Sequence, residues 1–229
     1  MHNHRVRVQY TKVGDLRFIS HLDLTRVMER GLNRARLPMA YSEGFHPMPK
    51  IAYGPALALG ISSRVELADF FLTQPVTPED FVERMNQVLP AGCLVEKAQL
   101  WPISAPPLAA VINRAAYQVR VRVSSVVNSE TLSKFILDIL EKEAILVLRQ
   151  KKRRQREVDI RPYLLDLSVR KVDPEQVGLT MLLAAGSEGA TNPKEVLGLL
   201  NLDLTQPGIL VERTGLFFEQ KGHLFTLID

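Results

Sequence analysis

Three groups of residues in this 229-residue chain have types and spacing suited to chemistry. The first is the segment Glu43-Gly44-Phe45-His46-Pro47-Met48-Pro49-Lys50, where one glycine and two prolines restrict the backbone and suit it to a fixed display of side chains. There Phe45 could stack on an unpaired base, His46 could hydrogen-bond or transfer a proton, and Lys50 could hold a phosphate. The competing structural reading has Phe45 plugging the core and the prolines shaping a crossover. The second group is Arg26, Arg30 and Arg34, whose spacing of four keeps them on one side of a helix, where they could follow a phosphate backbone. Asp23 and Glu29 lie three residues from Arg26, so ordinary surface pairing worth tenths of a kcal/mol competes with that role. The third is Arg149-Gln150-Lys151-Lys152-Arg153-Arg154-Gln155-Arg156, six cations in eight residues. Packing them together is unfavourable unless they are solvated or matched by anions. Phosphates would relieve the repulsion, and counterion release would make such binding strongly salt-dependent. A solvated loop is the alternative.

Other chemistry finds little support. The remaining histidines, His2, His4, His21 and His223, show no metal-ligand spacing with nearby carboxylates, and no nucleotide-cradling glycine motif occurs. A single cysteine, Cys93, excludes a disulfide framework, a multi-cysteine zinc site or a cysteine-ligated iron–sulfur cluster built from this chain alone. No metal or cofactor is therefore expected, and Cys93 reads as a buried apolar residue. The N-terminal residues lack the apolar core of a signal peptide, and no stretch approaches ~18 uninterrupted apolar residues. The expectation is a cytoplasmic protein without a membrane partner.

The elements that must position these groups follow from periodicity. Residues 5 to 10 alternate as a strand, and a Gly14-Asp15 turn signal leads to a short extended piece, Leu16 to Ile19. Ser20 is placed to cap a helix from His21 to about Arg36, with Asp23 at its third position. Leu24, Val27, Met28, Gly31, Leu32 and Ala35 gather on the face that should pack on a sheet. Lys50 to Tyr53, Leu57 to Ile61 and Val65 to Leu72 read as extended, Thr77-Pro78 opens a second helix, and Leu94 to Trp101 closes the set. After Pro102 to Pro107, strands are expected over Tyr117 to Val123, from Ile145, over Tyr163 to Val169 and over Leu179 to Ala185. Helices are expected over Ser129 to Glu143 and Asn192 to Leu200, and a hairpin over Gly215 to Leu227.

The order strand, helix, strands, helix, strand occurs twice, which points to an α+β chain of two tandem ferredoxin-like (split βαβ) lobes with antiparallel sheets. The expected divisions are an N-terminal lobe over 1–103, a linker over 104–113 and a C-terminal lobe over 114–229. Charge follows the same rhythm. Residues 1–50 hold nine Lys/Arg against four Asp/Glu and 51–113 three against six, while 114–171 hold fourteen against seven and 172–229 three against eight. Each half is basic first and acidic afterwards, a segregation that can focus a positive field on a polyanion.

The segments Leu16-Arg17-Phe18-Ile19-Ser20-His21-Leu22-Asp23-Leu24 and Leu37-Pro38-Met39-Ala40-Tyr41-Ser42-Glu43-Gly44-Phe45-His46-Pro47-Met48-Pro49-Lys50 resemble the radical-SAM-associated proteins of unknown function. Leu57-Ala58-Leu59-Gly60-Ile61-Ser62-Ser63 and Val158-Asp159-Ile160-Arg161-Pro162-Tyr163 look like the same family. Such domains stand alone beside radical SAM proteins or lie C-terminal to cobalamin-binding radical SAM modules, so the resemblance implies the associated part and not the radical generator. The first-lobe pattern is also loosely similar to the CRISPR repeat-processing endoribonucleases, whose tandem ferredoxin-like lobes bind RNA and cut it without metal. In those enzymes a histidine, often with a tyrosine and a lysine, assists attack of a ribose hydroxyl on its neighbouring phosphate, and Tyr41, His46 and Lys50 are the matching residue types. The expectation is a noncatalytic RNA-binding or substrate-presenting partner of a radical SAM enzyme in tRNA or rRNA modification. The alternatives are a metal-independent endoribonuclease using His46 and a protein-docking module for the radical SAM partner. RNA contacts are expected from Arg26, Arg30, Arg34, Phe45, His46, Lys50, Arg149, Lys151, Lys152, Arg153, Arg154 and Arg156.

Overall fold

The computed structural model describes residues 4–122, 129–151, 154–173, 175–186 and 189–228. The chain is mixed α+β with mostly antiparallel strands and divides into two compact units, Met1–Asn113 with Leu216–Asp229, and Arg114–Gly215.

The first unit runs β1 (His4–Lys12), α1 (His21–Arg34), β2 (Ile51–Tyr53), β3 (Ser62–Leu72), α2 (Pro78–Asn86), β4 (Val95–Leu100) and the single turn α3 (Leu108–Val111). Its strands lie in the order β2, β3, β1, β4, each antiparallel to its neighbour. Both long helices start as their sequences dictate. The Asp23 N–H donates to Ser20 Oγ (3.1 Å) and the Asp80 N–H to Thr77 Oγ1 (3.2 Å), each satisfying a free amide of the first turn. The apolar stripe of α1 (Leu24, Met28, Leu32) packs with Phe81 and Met85 of α2 on Val6, Val8, Phe70 and Leu72 of the sheet. Close approach is possible at Gly31, where a Cβ would meet Leu89 at 3.1 Å.

The second unit runs β5 (Arg114–Arg122), α4 (Ser129–Leu140), β6 (Leu146–Lys151), β7 (Arg154–Asp159), β8 (Leu164–Asp173), β9 (Gln176–Gly186), β10 (Gly189–Ala190), α5 (Pro193–Leu199) and β11 (Ile209–Gln220). Its main strands follow β8, β9, β5, β11, the same succession as in the first unit, while β6 and β7 form a separate hairpin. From Leu216 onward β11, together with β12 (His223–Phe225), belongs to the first unit.

The structure departs from the sequence reading in places. Leu16 to Ile19 is not extended: Gly14–Phe18 forms a tight 3-10 turn, closed by Ile19 N–H on Leu16 O (3.1 Å), and Lys12 Nζ reaches back to Ile19 O (2.9 Å). Leu57 to Ile61 is also a turn, with Gly60 at φ +87° donating its N–H to Arg17 O (2.8 Å). The cationic run is no simple loop, because Arg149 and Arg156 are paired residues of the β6–β7 hairpin. The terminal segment expected in the second lobe packs with the first unit, where Asn113 N–H bonds Phe217 O (3.1 Å).

On the sheet face of the first unit away from its helices, Arg5 and Arg7 of β1 are buried around Asp69 of β3. Arg7 Nε and one terminal nitrogen donate to the two carboxylate oxygens at 2.8 and 3.1 Å, and Arg5 donates to one of them. Arg5 also donates to the carbonyls of Pro102, Ala105 and Pro106, and Arg7 to that of Leu227 while stacking 4.0 Å from the Trp101 ring centroid. Removing the carboxylate leaves two buried guanidinium groups without an anion. Asp69→Ala is therefore expected to cost about 3 to 5 kcal/mol in urea unfolding; a loss below about 1 kcal/mol, the scale of a surface pair, would show that the arginines find solvent instead.

Candidate nucleic-acid interface

The 41–50 loop is strapped to the sheet at its base. Ala40 N–H donates to Phe71 O (2.9 Å), Phe71 N–H to Lys50 O (3.2 Å) and Lys50 N–H to Ala40 O (2.8 Å). A bridge joins Tyr41 to Pro49, and beyond it Ser42 N–H bonds Met48 O (2.9 Å) while Met48 N–H bonds Ser42 Oγ (3.0 Å). Two prolines and these closures leave only Glu43 to Pro47 as a tip, turned by Gly44 at φ +127°, a region that favours glycine. Phe45 at that tip is fully exposed, which removes the reading of it as a core plug. His46 beside it is exposed as well. Tyr41 and Lys50 sit together at the base, with the Tyr41 hydroxyl 3.1 Å from Asn33 Oδ1, so the closures separate them from His46 along the loop.

That Tyr41–Asn33 contact ties the loop to α1. Of the arginine stripe there, Arg26 pairs with Asp23 at 3.0 Å and Arg34 reaches Val88 O at 3.4 Å, while Arg30 is exposed with no ion pair among the described residues. The Ser20 hydroxyl bond, aided by Arg26, holds the Asp23 carboxyl below the ordinary carboxylate range. Exposed Phe18 and Leu22 lie just before and at the start of this helix, and the Arg17 guanidinium lies 4.6 Å from the Phe18 ring centroid. Arg84 plays a part that its sequence position does not advertise. From α2 it donates to the carbonyls of Ala35 and Arg36, the free C-terminal end of α1, which Arg36 terminates at φ +52°.

In the second unit, Arg149 is engaged rather than free. Its Nε and one terminal nitrogen bind both carboxylate oxygens of Glu195 at 2.7 and 2.8 Å, and the latter nitrogen also donates to Ala190 O at 2.6 Å. Arg156, opposite it across the hairpin, is exposed. Lys152 and Arg153 lie outside the described residues, as do the side chains of Lys151 and Arg154. Two further cations, Arg120 of β5 and Arg170 of β8, are exposed on the second unit's sheet and drew no attention in the sequence because each stands alone in an alternating strand. No group of three or more His, Cys, Asp or Glu able to hold a metal occurs among the described residues, and no helix there is long and apolar enough to cross a membrane.

The chain is thus an α+β protein with antiparallel sheets that displays a braced aromatic loop and exposed arginines. It belongs to the family described as an uncharacterized protein conserved in bacteria (DUF2344), whose profile matches residues 5–193. None of the curated proteins compared matches it. Among solved structures it is similar to chains in a Cbf5-Nop10-Gar1 complex (15% identity, TM-score 0.48, covering 97% of this chain and 52% of that one). It is also similar to a chain in an H/ACA RNP bound to a substrate RNA containing 2'-deoxyuridine (13% identity, TM-score 0.47, 97% and 51%). A third is in the archaeal box H/ACA sRNP Nop10-Cbf5 complex (14% identity, TM-score 0.43, 97% and 51%). The chain spans about half the length of these solved chains, and at such identities and TM-scores the likeness does not extend to function.

Glu195 makes the hairpin's anchoring pH-sensitive. Burial opposes its ionisation, but hydrogen bonds from Arg149 and Thr191 outweigh this and hold its carboxyl below the ordinary value. With the folded pKa below the unfolded one, near ~4.3, the pair stabilises fully above the unfolded value, and this is lost as pH falls through the folded one. Glu195→Gln should lower the thermal unfolding temperature at neutral pH, and the gap to wild type should shrink under acid. A gap that stays constant with pH would show that the charge of Glu195 is not what anchors the hairpin.

Proposed function

We propose that this chain is a noncatalytic RNA-binding partner that presents tRNA or ribosomal RNA to a radical SAM enzyme in the cytoplasm. The observation that carries the reading is Phe45, a large apolar side chain left wholly in water at the tip of a loop braced by two prolines and five backbone or hydroxyl bonds. Burying such a ring would contribute about 1.5 to 3 kcal/mol to folding, so a rigid loop that forgoes this burial is suited to an external stacking partner. The exposed Arg30, on the helix that Tyr41 contacts, supplies a cation for the phosphates of the same strand. The run ending at Arg156 supplies more in the second unit. The strand orders of the two units, β2, β3, β1, β4 and β8, β9, β5, β11, support reading each as a ferredoxin-like lobe, the second with the β6–β7 hairpin inserted. The radical SAM partnership rests on the four sequence segments that resemble radical-SAM-associated proteins, and the single cysteine of the chain fits the associated part.

The reading is tested by titrating the purified chain with labelled tRNA and ribosomal RNA fragments. Phe45→Ala should weaken binding by about 1 to 3 kcal/mol through lost stacking, with thermal unfolding unchanged because the ring touches no core. Replacing Lys151, Lys152, Arg153 and Arg154 with glutamine should lower affinity and flatten its dependence on salt. Cutting of RNA that resists chelator, leaves a terminal cyclic phosphate and disappears in His46→Ala would favour the endoribonuclease instead. Tight binding to the enzyme partner with none to RNA would favour a docking module.

A further inference from the structure

On the open face of the second unit, the registers of β8, β9 and β5 bring Arg170, Gly178 and Arg120 into one row across three strands. Strands lie about 4.8 Å apart, so two arginine side chains flank a central position that has no side chain at all. The next row along the face is Ser168, Thr180 and Gln118, with the two hydroxyls bonded to each other at 2.6 Å. Arg120, Arg170, Gly178, Thr180 and Gln118 line a hollow of about 370 Å³, within the size range of ligand-binding clefts, and Ser168 lies beside it. Arg120 and Arg170 are both exposed, and neither has an ion pair or side-chain hydrogen bond among the described residues. Two unneutralised guanidinium groups facing one gap repel each other until an anion enters, and their planar forks match phosphate oxygens bidentately.

We infer that this row is a phosphate cradle, in which Arg120 and Arg170 clasp the sugar–phosphate backbone of the RNA over Gly178. The inference rests on the RNA-binding reading and adds a second, independent contact to it. None of the residues lining the hollow is aromatic, so it offers no stacking platform and grips the backbone without regard to base. Gln118 and whichever hydroxyl of the Ser168–Thr180 pair is not donating to the other supply neutral donors for the remaining phosphate oxygens. Gly178 is the positioning residue, because any side chain there would stand between the two cations.

The test is fluorescence anisotropy of the full chain with a mixed-sequence single-stranded RNA at several salt concentrations. Arg120→Gln with Arg170→Gln should lower affinity about tenfold at moderate salt and reduce the slope of log K against log salt by about 1.4, the amount expected for two single-strand phosphate contacts. The loss should be equal for RNAs of different sequence. Gly178→Val keeps both charges, suits a strand, and should weaken binding with an unaltered unfolding temperature. If wild type binds RNA, Phe45→Ala weakens it and the double variant leaves affinity and salt slope unchanged, the cradle is overturned and the RNA reading stands. If wild type binds no RNA, both fall.

Discussion

A single carboxylate organises the face of the first unit that its helices do not cover. Asp69 is fully buried and accepts from both Arg5 and Arg7, so two cations share one anion inside the protein. Such an arrangement is costly to desolvate and endures only if the remaining donors find partners. Here most do: the carbonyls of Pro102, Ala105, Pro106 and Leu227 take N–H groups of the terminal nitrogens, while Arg5 Nε is left buried without a partner. The segment that leaves β4 and the chain's final residues are thereby pinned to β1, the central strand flanked by β3 and β4. One ion cluster thus fixes the path of the chain out of the first unit and its return.

The candidate RNA-binding loop depends on that rigidity by a different route. β3 carries Asp69 on one face, and its backbone at Phe71 anchors both ends of the 41–50 loop. A loop hung on a central strand cannot shift without disturbing the sheet, and Arg84 adds a second restraint by closing the C-terminus of α1 just before the loop begins. Ordering of the loop is therefore met by folding and not by binding, which is the condition under which an exposed aromatic yields most of its stacking energy to a ligand.

Sequence patterns made legible what short-range physics controls. Ser20, Thr77 and Asn192 stand at helix starts because their oxygens meet free amides two or three residues on, and that signal is local. The exposure of Arg30 followed from helical spacing. What the sequence hid depends on partners far along the chain. Arg149 looked like one cation in a run, yet its meaning is set by Glu195, forty-six residues later. Arg5 and Arg7 occupy alternate positions of a strand, where exposed residues usually fall, and the segment 101–106 and Leu227, far along the chain, help to bury them. The pairing of Arg120 with Arg170 across Gly178 needs a register that no local pattern specifies. The 3-10 turn at Gly14–Phe18 is hidden in the sequence for a related reason, since Lys12 stabilises it from outside the turn.

The two cationic regions of the second unit then differ in how they handle repulsion. In the β6–β7 hairpin Arg149 faces Arg156 in register, and like charges directly opposed destabilise a strand pair. Glu195 removes half of that conflict from within, so the hairpin can fold with no ligand present. No such internal anion serves Arg120 and Arg170 among the described residues. Their repulsion is reduced by separation alone, two strand spacings across a glycine. The hairpin has its anion built in, whereas the sheet face supplies none among the described residues, and that difference is the ground on which the phosphate cradle is proposed at the sheet face and not at Arg149.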